Sequence, residues 1–285
     1  MPPRVRLVTL TSDIGWAYAA QVKAALLAGG VPPDRIVDLA HDLPAHGVRE
    51  AAFLLRAMAR GFPAFSVHLV IVDPGVGGRR RSIAIETRAG PCLVGPDNGV
   101  LDPLARELGL RAAYRIDPGR LPHRSRVGTT FDGRDIFAPA AARLAAGASV
   151  ASLGRRISPT RLRLPEPRER GGEARGEVLH VDRFGNLITN IRSGSRRPGR
   201  GSASLLQVGR RRAGTVPLVT SYEALGPGRL GILGSSFGLL EVAVGEGRAS
   251  DRLHAGVGSS VRIVRARRSG RRGENANSAR PRKRA

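Results

Sequence analysis

Up to about residue 158 strand-like and helix-like stretches alternate along this chain; beyond residue 172 only short β-like stretches remain. Val5–Leu10 is an apolar run that stops at the polar turn Thr11-Ser12-Asp13. An alanine-rich stretch over 17–28 reads as a helix halted by Gly29-Gly30, and Arg35–Leu39 as a short strand. Val48, Ala51, Ala52, Leu55 and Met58 recur at helical spacing. Val67–Val72 then has the continuous apolar character of a buried strand, followed by strands at 82–87 and 92–95 and helices near 100–109 and 134–146. This order predicts an α/β domain over 1–158 with a mostly parallel sheet and helices on both faces. Residues 159–172, rich in Pro, Arg and Glu without periodicity, read as a linker. Segments 176–182, 203–208, 229–234, 239–244 and 260–264, separated by Gly, Ser and Pro, predict a small all-β, barrel-like domain over 173–268. Residues 269–285 have no apolar side chain except alanine and read as a disordered basic tail.

Composition removes several function classes. A single cysteine, Cys92, excludes an internal disulfide framework and a cysteine-rich zinc site, and its apolar strand marks it as core. No apolar run is long enough for a membrane span, and the first apolar stretch is too short for a secretory signal, so a soluble, cytoplasmic protein is expected. The net charge of +24 would ordinarily point to nucleic acid, yet 45 of the 47 basic residues are arginine, a bias that codon usage alone can produce. Aromatics are only 4%, too few for the stacking platforms of single-strand binders. A solvated basic surface is the favoured reading, with a nucleic-acid partner second.

Acidic residues in the first domain gather at loop positions. Asp13, Asp42 and Asp73 each follow an apolar strand, where a parallel sheet opens its carboxyl-end crevice. Asp97 lies in GPDNG, and Asp132 and Asp135 lie in TTFDGRDIF. Any one of these fits a cap or an Asx-turn; as a set they predict a polar ligand site. G-x-x-x-x-G-K-[ST] is absent, and the G-x-G-x-x-G string Gly226-Pro227-Gly228-Arg229-Leu230-Gly231 leads into a β-like stretch rather than opening a helix after a strand, so a phosphate cradle is disfavoured. Asp13 is placed to accept from ribose hydroxyls, and a divalent metal on Asp13, Asp73 and Asp132 is an equally open alternative at this level. The histidines have no metal-ligand spacing, and the G-x-S-x-G string Gly234-Ser235-Ser236-Phe237-Gly238 lies between two apolar strands rather than at a strand-to-helix turn, so a hydrolase elbow is disfavoured.

In the second domain the stretch His180-Val-Asp182-Arg-Phe-Gly-Asn186-Leu-Ile-Thr189-Asn190 breaks a strand at Asp182, and Gly185 permits a tight turn that projects Asn186. An amide, donor and acceptor together, matches the edge of adenine; a capped hairpin turn explains the same residues about as well. A second turn, Gly234-Ser-Ser236-Phe-Gly238, lies between two apolar strands.

The ordered segments TLTSDIG, VDLAHDLPAHGVREAAFLL, VDPGVGGRRR, GPDNGVL, TFDGRDIFAPAAA, DRFGNLITN and GSSFGLLEVAV resemble the S-adenosylmethionine hydroxide adenosyltransferases, relatives of the fluorinating and chlorinating adenosyltransferases. The resemblance runs from about Thr9 to Val264. It implies an α/β domain followed by a small β-barrel, and a homotrimer whose active site lies between the first domain of one subunit and the second domain of the next. The implied reaction is hydrolysis of S-adenosylmethionine to adenosine and methionine, with no cofactor and no metal. Carried over by position, Asp13 holds the ribose hydroxyls and Asn186 reads adenine. Asp182 and Ser236 contact the methionine portion, while Glu241 and Val244 line the nucleoside pocket. Asp73 and Arg80 match two members of a water-activating Asp-Arg-His triad.

Two departures fall at the substrate. The family's F-H-G-R-D is here Phe131-Asp132-Gly133-Arg134-Asp135, which puts Asp132 in the histidine's place as the third catalytic residue. After Gly15, relatives carry a loop two residues longer with an Asp, whereas Trp16-Ala-Tyr18 stands here. The alternatives are a protein that binds S-adenosylmethionine or adenosine with weakened catalysis, and a basic nucleic-acid-associated protein on the same fold.

Overall fold

The computed structural model describes residues 5–122, 130–195 and 203–265, so the basic tail expected over 269–285 lies outside the described residues. The chain divides into two compact units, Met1–Glu166 and Pro167–Ala285.

The first unit is built on a seven-stranded sheet of β1 (Leu7–Ser12), β2 (Ile36–Ala40), β3 (Ser66–Ile71), β4 (Ser82–Thr87), β5 (Cys92–Pro96), β6 (Leu110–Ile116) and β7 (Gly154–Ile157), in the order β2-β1-β3-β5-β4-β6-β7. Strands β2, β1, β3 and β5 are parallel neighbours. Strands β4, β6 and β7 join antiparallel, so the sheet is mixed and the expectation of a mostly parallel one is corrected. The physical reason is local: residues 88–91 alone connect β4 to β5, which allows a hairpin but no crossover. Strands β6 and β7 then extend the antiparallel half from β4 outward.

Helices α1 (Gly15–Ala28), α2 (Val48–Ala59), α3 (Asp102–Glu107) and α4 (Ala138–Ala145) accompany this sheet. Val8 and Leu10 of β1 and Val67 and Leu69 of β3, alternating with period two, bury into one core with Val22 and Leu26 of α1 and Ala141 and Leu144 of α4. Each such side chain withdrawn from water contributes about 1.5–3 kcal/mol for the larger aliphatics. On the intervening positions, Thr9 Oγ1 lies 2.8 Å from Nδ1 of the buried His68. Burial holds the His68 imidazole down at about 4, so it is neutral in the folded protein at pH 7. Cys92 is buried in β5, where burial raises its thiol pKa, in keeping with a core role. Because β1, β2 and β3 are parallel, the loops that follow them share one edge of the sheet.

The stretch read as a linker is held at both ends. Thr160 N donates to Asp97 Oδ1 at 2.7 Å and Leu162 N to Asp102 Oδ2 at 3.0 Å. At its far end β8 (Arg168–Arg170) pairs with β9 (Glu173–Val181), a strand that the absence of periodicity had hidden.

The second unit continues with β10 (Leu187–Arg192), β11 (Ala203–Val208), β12 (Arg211–Pro217), β13 (Leu230–Gly234), β14 (Leu239–Val244), the short helix α5 (Ala249–Leu253) and β15 (Ser260–Arg265). Its eight strands form an antiparallel sheet along the path β12-β11-β15-β9-β10-β14-β13, with β8 on the side of β9. A parallel bridge from Leu218 to Ile232 brings the two ends of the path together, giving the nearly closed, barrel-like form expected. Its core is aliphatic, with Leu187, Leu206, Ile232, Val242 and Ile263 among its buried members. No helix among the described residues is long and apolar enough to cross a membrane.

Candidate functional site

In the first unit the segment from Asp73 to Arg80 doubles back on itself. Val76 N donates to Asp73 O at 3.2 Å and Gly78 N to Gly75 O at 3.0 Å, two successive turns that return Arg80 to the start of the segment. Gly75 permits the close return, since a Cβ there would stand 3.0 Å from Arg80 Cγ. Arg80 Nε then donates to both Asp73 oxygens, at 2.8 and 2.9 Å, and Nη2 also bonds Asp73 Oδ2.

The same Nη2 donates to Asp132 Oδ2 at 2.6 Å, and Nη1 to Ser82 Oγ at 3.0 Å. Asp132 comes from the loop before a single π-helical turn, Gly133–Phe137, that leads into α4. Such turns are frequent at functional sites because they re-aim side chains. The guanidinium carbon lies 5.2 Å from the centre of the Phe137 ring, so arginine is held between an aromatic core residue and two carboxylates. Side-chain exposure is 12% for Arg80, 6% for Asp73 and 9% for Asp132. Burial opposes the arginine charge, yet hydrogen bonds and negative charge from Asp73 and then Asp132 outweigh it and raise the Arg80 pKa. The three residues expected to be catalytic are therefore brought together, from loops 52 positions apart.

Asp13 follows β1 directly, and its Oδ2 accepts from His46 N at 2.9 Å. Its own N–H donates to Ile71 O at 3.2 Å, which ties it to the end of β3 two residues before Asp73. Beside it runs a chain that sequence reasoning missed: Ser12 Oγ lies 2.8 Å from His41 Nδ1, His41 Nε2 lies 2.9 Å from Asp38 Oδ1, and Lys23 Nζ donates to Asp38 Oδ2 at 2.7 Å. His41 and Ser12 are fully buried, so this chain anchors the β1 end rather than meeting ligand. The remaining carboxylates separate from the cluster. Asp97 bonds Arg81 and Thr160, Asp135 bonds Arg134, and Asp42 is exposed. Among the described residues no group of three or more His, Cys, Asp and Glu side chains is arranged to hold a metal ion.

In the second unit Asp182 and Asn186 close the β9–β10 turn. Asp182 Oδ1 accepts from Phe184 N and Asn186 N, both at 2.9 Å, and Oδ2 accepts from Asn186 Nδ2 at 2.9 Å. Gly185 sits at φ +80° in this turn, where other residues are strained. The capped-turn reading of these residues is thus realised, and it holds the Asn186 amide in one orientation. Opposite, Glu241 of β14 pairs in register with Ile188 of β10, is only 2% exposed, and accepts a hydrogen bond from Tyr222 Oη. Burial raises the Glu241 pKa, with the negative charge of Asp182 adding to it and the Tyr222 hydrogen bond partly offsetting it. Tyr222 was missed from sequence; the signal available was a tyrosine in the loop before an apolar strand pair. Ser236 is exposed at the β13–β14 turn, whose backbone is braced by Ser235 Oγ accepting from Phe237 N at 3.3 Å. Val244 ends β14 as a member of the aliphatic core.

Comparison with known proteins places these features in a family. Residues 8–154 match the SAM hydroxide adenosyltransferase N-terminal domain and residues 176–262 the C-terminal domain. The chain is 40% identical over 270 residues to the (R)-S-adenosyl-L-methionine hydrolase of Thermus thermophilus, covering 91% of this chain and 100% of the relative. It is likewise 40% identical over 263 residues to the protein of that name from Salinispora tropica, covering 90% and 97%. A crystal structure of an uncharacterized conserved protein from Thermotoga maritima superposes with a TM-score of 0.83 at 32% identity, over 91% of this chain and 100% of that one.

Proposed function

The chain belongs to the SAM hydroxide adenosyltransferase family, and from that premise we propose that it hydrolyses S-adenosylmethionine to adenosine and methionine. The observation that carries the reading is the near full-length identity to two proteins named (R)-S-adenosyl-L-methionine hydrolase, and the (R) sulfonium is the substrate form we expect.

Water oxygen attacks the ribose C5′ as the C5′–S bond breaks, its electron pair passing to sulfur. Methionine leaves as a neutral thioether, so the leaving group needs no general acid. The water proton passes to a carboxylate, and the reaction balances without a redox cofactor. We assign that acceptor role to Asp132, which Arg80 contacts through one nitrogen, and assign Asp73, gripped through two, to fixing the guanidinium. Arg80 orients both groups, and the low exposure of the cluster supports a dry, positioned nucleophile.

Asp13 is proposed to hold the ribose hydroxyls and Asn186 the adenine edge, whose amide is pre-oriented by Asp182. Asp182 and Ser236 are proposed for the methionine portion, and Glu241 with Val244 for the nucleoside pocket. The homotrimer implied by the resemblance, and the cytoplasmic location expected from the sequence, stand as part of the same proposal.

The deciding experiment incubates the protein with S-adenosylmethionine in ¹⁸O-water and resolves products by chromatography and mass spectrometry. Equimolar adenosine and methionine, with the label in the 5′-hydroxyl of adenosine, are expected. Unlabelled adenosine, or no turnover with saturable binding, overturns hydrolysis at C5′.

A further inference from the structure

The barrel-like unit carries arginines in a row that crosses neighbouring strands. Arg168 of β8 stands directly opposite Arg175 of β9, and Arg175 opposite Arg262 of β15. Arg262 is in turn opposite Gln207 of β11, and Gln207 opposite Arg212 of β12. Directly opposed residues of an antiparallel pair share a face. The adjoining positions fix which face this is: Ala174, Leu206, Val208 and Ile263 lie in the core, whereas all four arginines are exposed. Adjacent strands lie about 4.8 Å apart, so the row extends about 19 Å over the outer surface of the sheet.

Such a row costs stability, because like charges directly opposite one another repel. Its relief is partial. Glu173 accepts from Arg262 Nε and Nη2, both at 2.9 Å, and from Arg175 Nε, and these two arginines hold its carboxyl down at about 2. The other acid on this side of β9, Glu177, stands opposite Ser260 rather than an arginine. At the two ends of the row, Arg168 and Arg212 have no acidic partner among the described residues. In the first unit, by contrast, Glu107 takes Arg56 and Arg60, Asp97 takes Arg81, and Asp102 takes Arg106 and Arg161. Codon usage explains why the basic residues are arginine. It does not explain why four of them fall into one line across a sheet.

We propose that this face binds the phosphate backbone of duplex nucleic acid without reading its sequence. A DNA duplex carries about one phosphate per 3.4 Å of axis on each strand, so a row of this length faces about five or six charges of one strand. The planar guanidinium fork matches phosphate oxygens. Single strands are the poorer partner, because they need aromatic platforms and the row has none. The proposal is independent of the hydrolase reading, and the row contains none of the residues assigned to the substrate.

The test titrates the full chain into a fluorescent DNA duplex of about 20 base pairs and follows anisotropy from about 50 to 200 mM salt. Four proteins are compared: wild type, Arg168→Gln with Arg212→Gln, Arg168→Lys with Arg212→Lys, and Arg155→Gln with Arg156→Gln. The last removes the same charge from two exposed arginines of β7 in the first unit. All four keep the basic residues that follow β15, so differences among them report the row. Glutamine at 168 and 212 is expected to weaken binding about tenfold and to lower the slope of log K against log salt by about 2, one for each lost phosphate contact. Lysine at both positions is expected to keep most of the affinity, and the β7 changes to stay within about twofold of wild type. Equal loss in the β7 variant shows binding by bulk charge and overturns the proposal. Unchanged duplex affinity with glutamine at 168 and 212, or tighter binding to a single strand of the same length, overturns it too. Polyglutamate bound as tightly as the duplex assigns the face to an acidic protein instead. A smaller assembly for the glutamine variant in size-exclusion chromatography marks the row as a contact between copies of the chain, and the nucleic-acid assignment falls.

Discussion

The two units each bury carboxylates, and they treat them in opposite ways. In the first unit Asp73 and Asp132 share Arg80, so charge is buried together with its counter-charge. In the second unit Glu241 faces a phenol, with Asp182 as a nearby negative charge that raises its pKa further. One cluster is an ion network that stabilises charge; the other is a set of hydrogen bonds in which a carboxyl is pushed toward its neutral form. The lesson is that a carboxylate's chemistry is set by what lies within hydrogen-bond reach. The first arrangement suits a carboxylate that must be held in a fixed position beside a cation. The second suits recognition of a substrate edge by both donors and acceptors.

The sharpest break of this comparison removes the shared arginine. Arg80→Met strands two buried carboxylates, a change that typically costs about 3–5 kcal/mol of stability. Turnover is expected to fall below detection, with urea denaturation at pH 7 reporting the stability loss. Near wild-type stability in that variant would mean that the carboxylates are not charge-paired in solution.

Asp132 is the next largest lever. Asp132→Asn keeps volume and removes the proposed proton acceptor, so kcat is expected to drop about a hundredfold or more while KM holds. Asp132→His restores the residue that the family pattern has at this place, and is expected to be active. Single-turnover rates of all three proteins across pH 5 to 9 check this. A silent wild type rescued by histidine would instead make the native chain a binding protein.

The smallest effect is expected in the second unit. A carboxyl whose folded pKa is raised contributes stability that is present below its ordinary value of 4.5 and is lost as pH rises through the folded value. Glu241→Gln keeps an acceptor for Tyr222 and removes that loss. Its unfolding free energy is expected to lie within about 1 kcal/mol of wild type at pH 7. Its stability should also fall less than that of wild type as pH is raised from 4 to 7. A large destabilisation at pH 7 would show that Glu241 is needed as an anion, which would erase the contrast with the Arg80 cluster.

Much of this molecule was legible along the chain. The alternation of strand and helix signals, the placement of Asp13 and Asp73 after β1 and β3, and the Gly185 turn are local properties, set by side-chain periodicity and by allowed backbone angles. The motif segments carried the Asp73, Arg80 and Asp132 set through their resemblance to the family; short-range turns return Arg80 to Asp73 within eight residues, whereas Asp132 reaches Arg80 from 52 positions away. Strand partnership was not legible in the same way. β4 enters the sheet between β5 and β6, which makes the sheet mixed, and β8 is a strand only because β9 offers it an edge. Nor could spacing show that Tyr222 reaches Glu241, or that Ser12, His41, Asp38 and Lys23 join in one chain under the Asp13 turn. Periodicity reports which face of an element is buried; it does not report which distant element covers that face. The sequence by itself therefore determined the elements and the loops that carry chemistry. The tertiary structure alone decided which distant charges are paired, as Arg80 with Asp132, because that pairing depends on contacts between residues far apart in the chain.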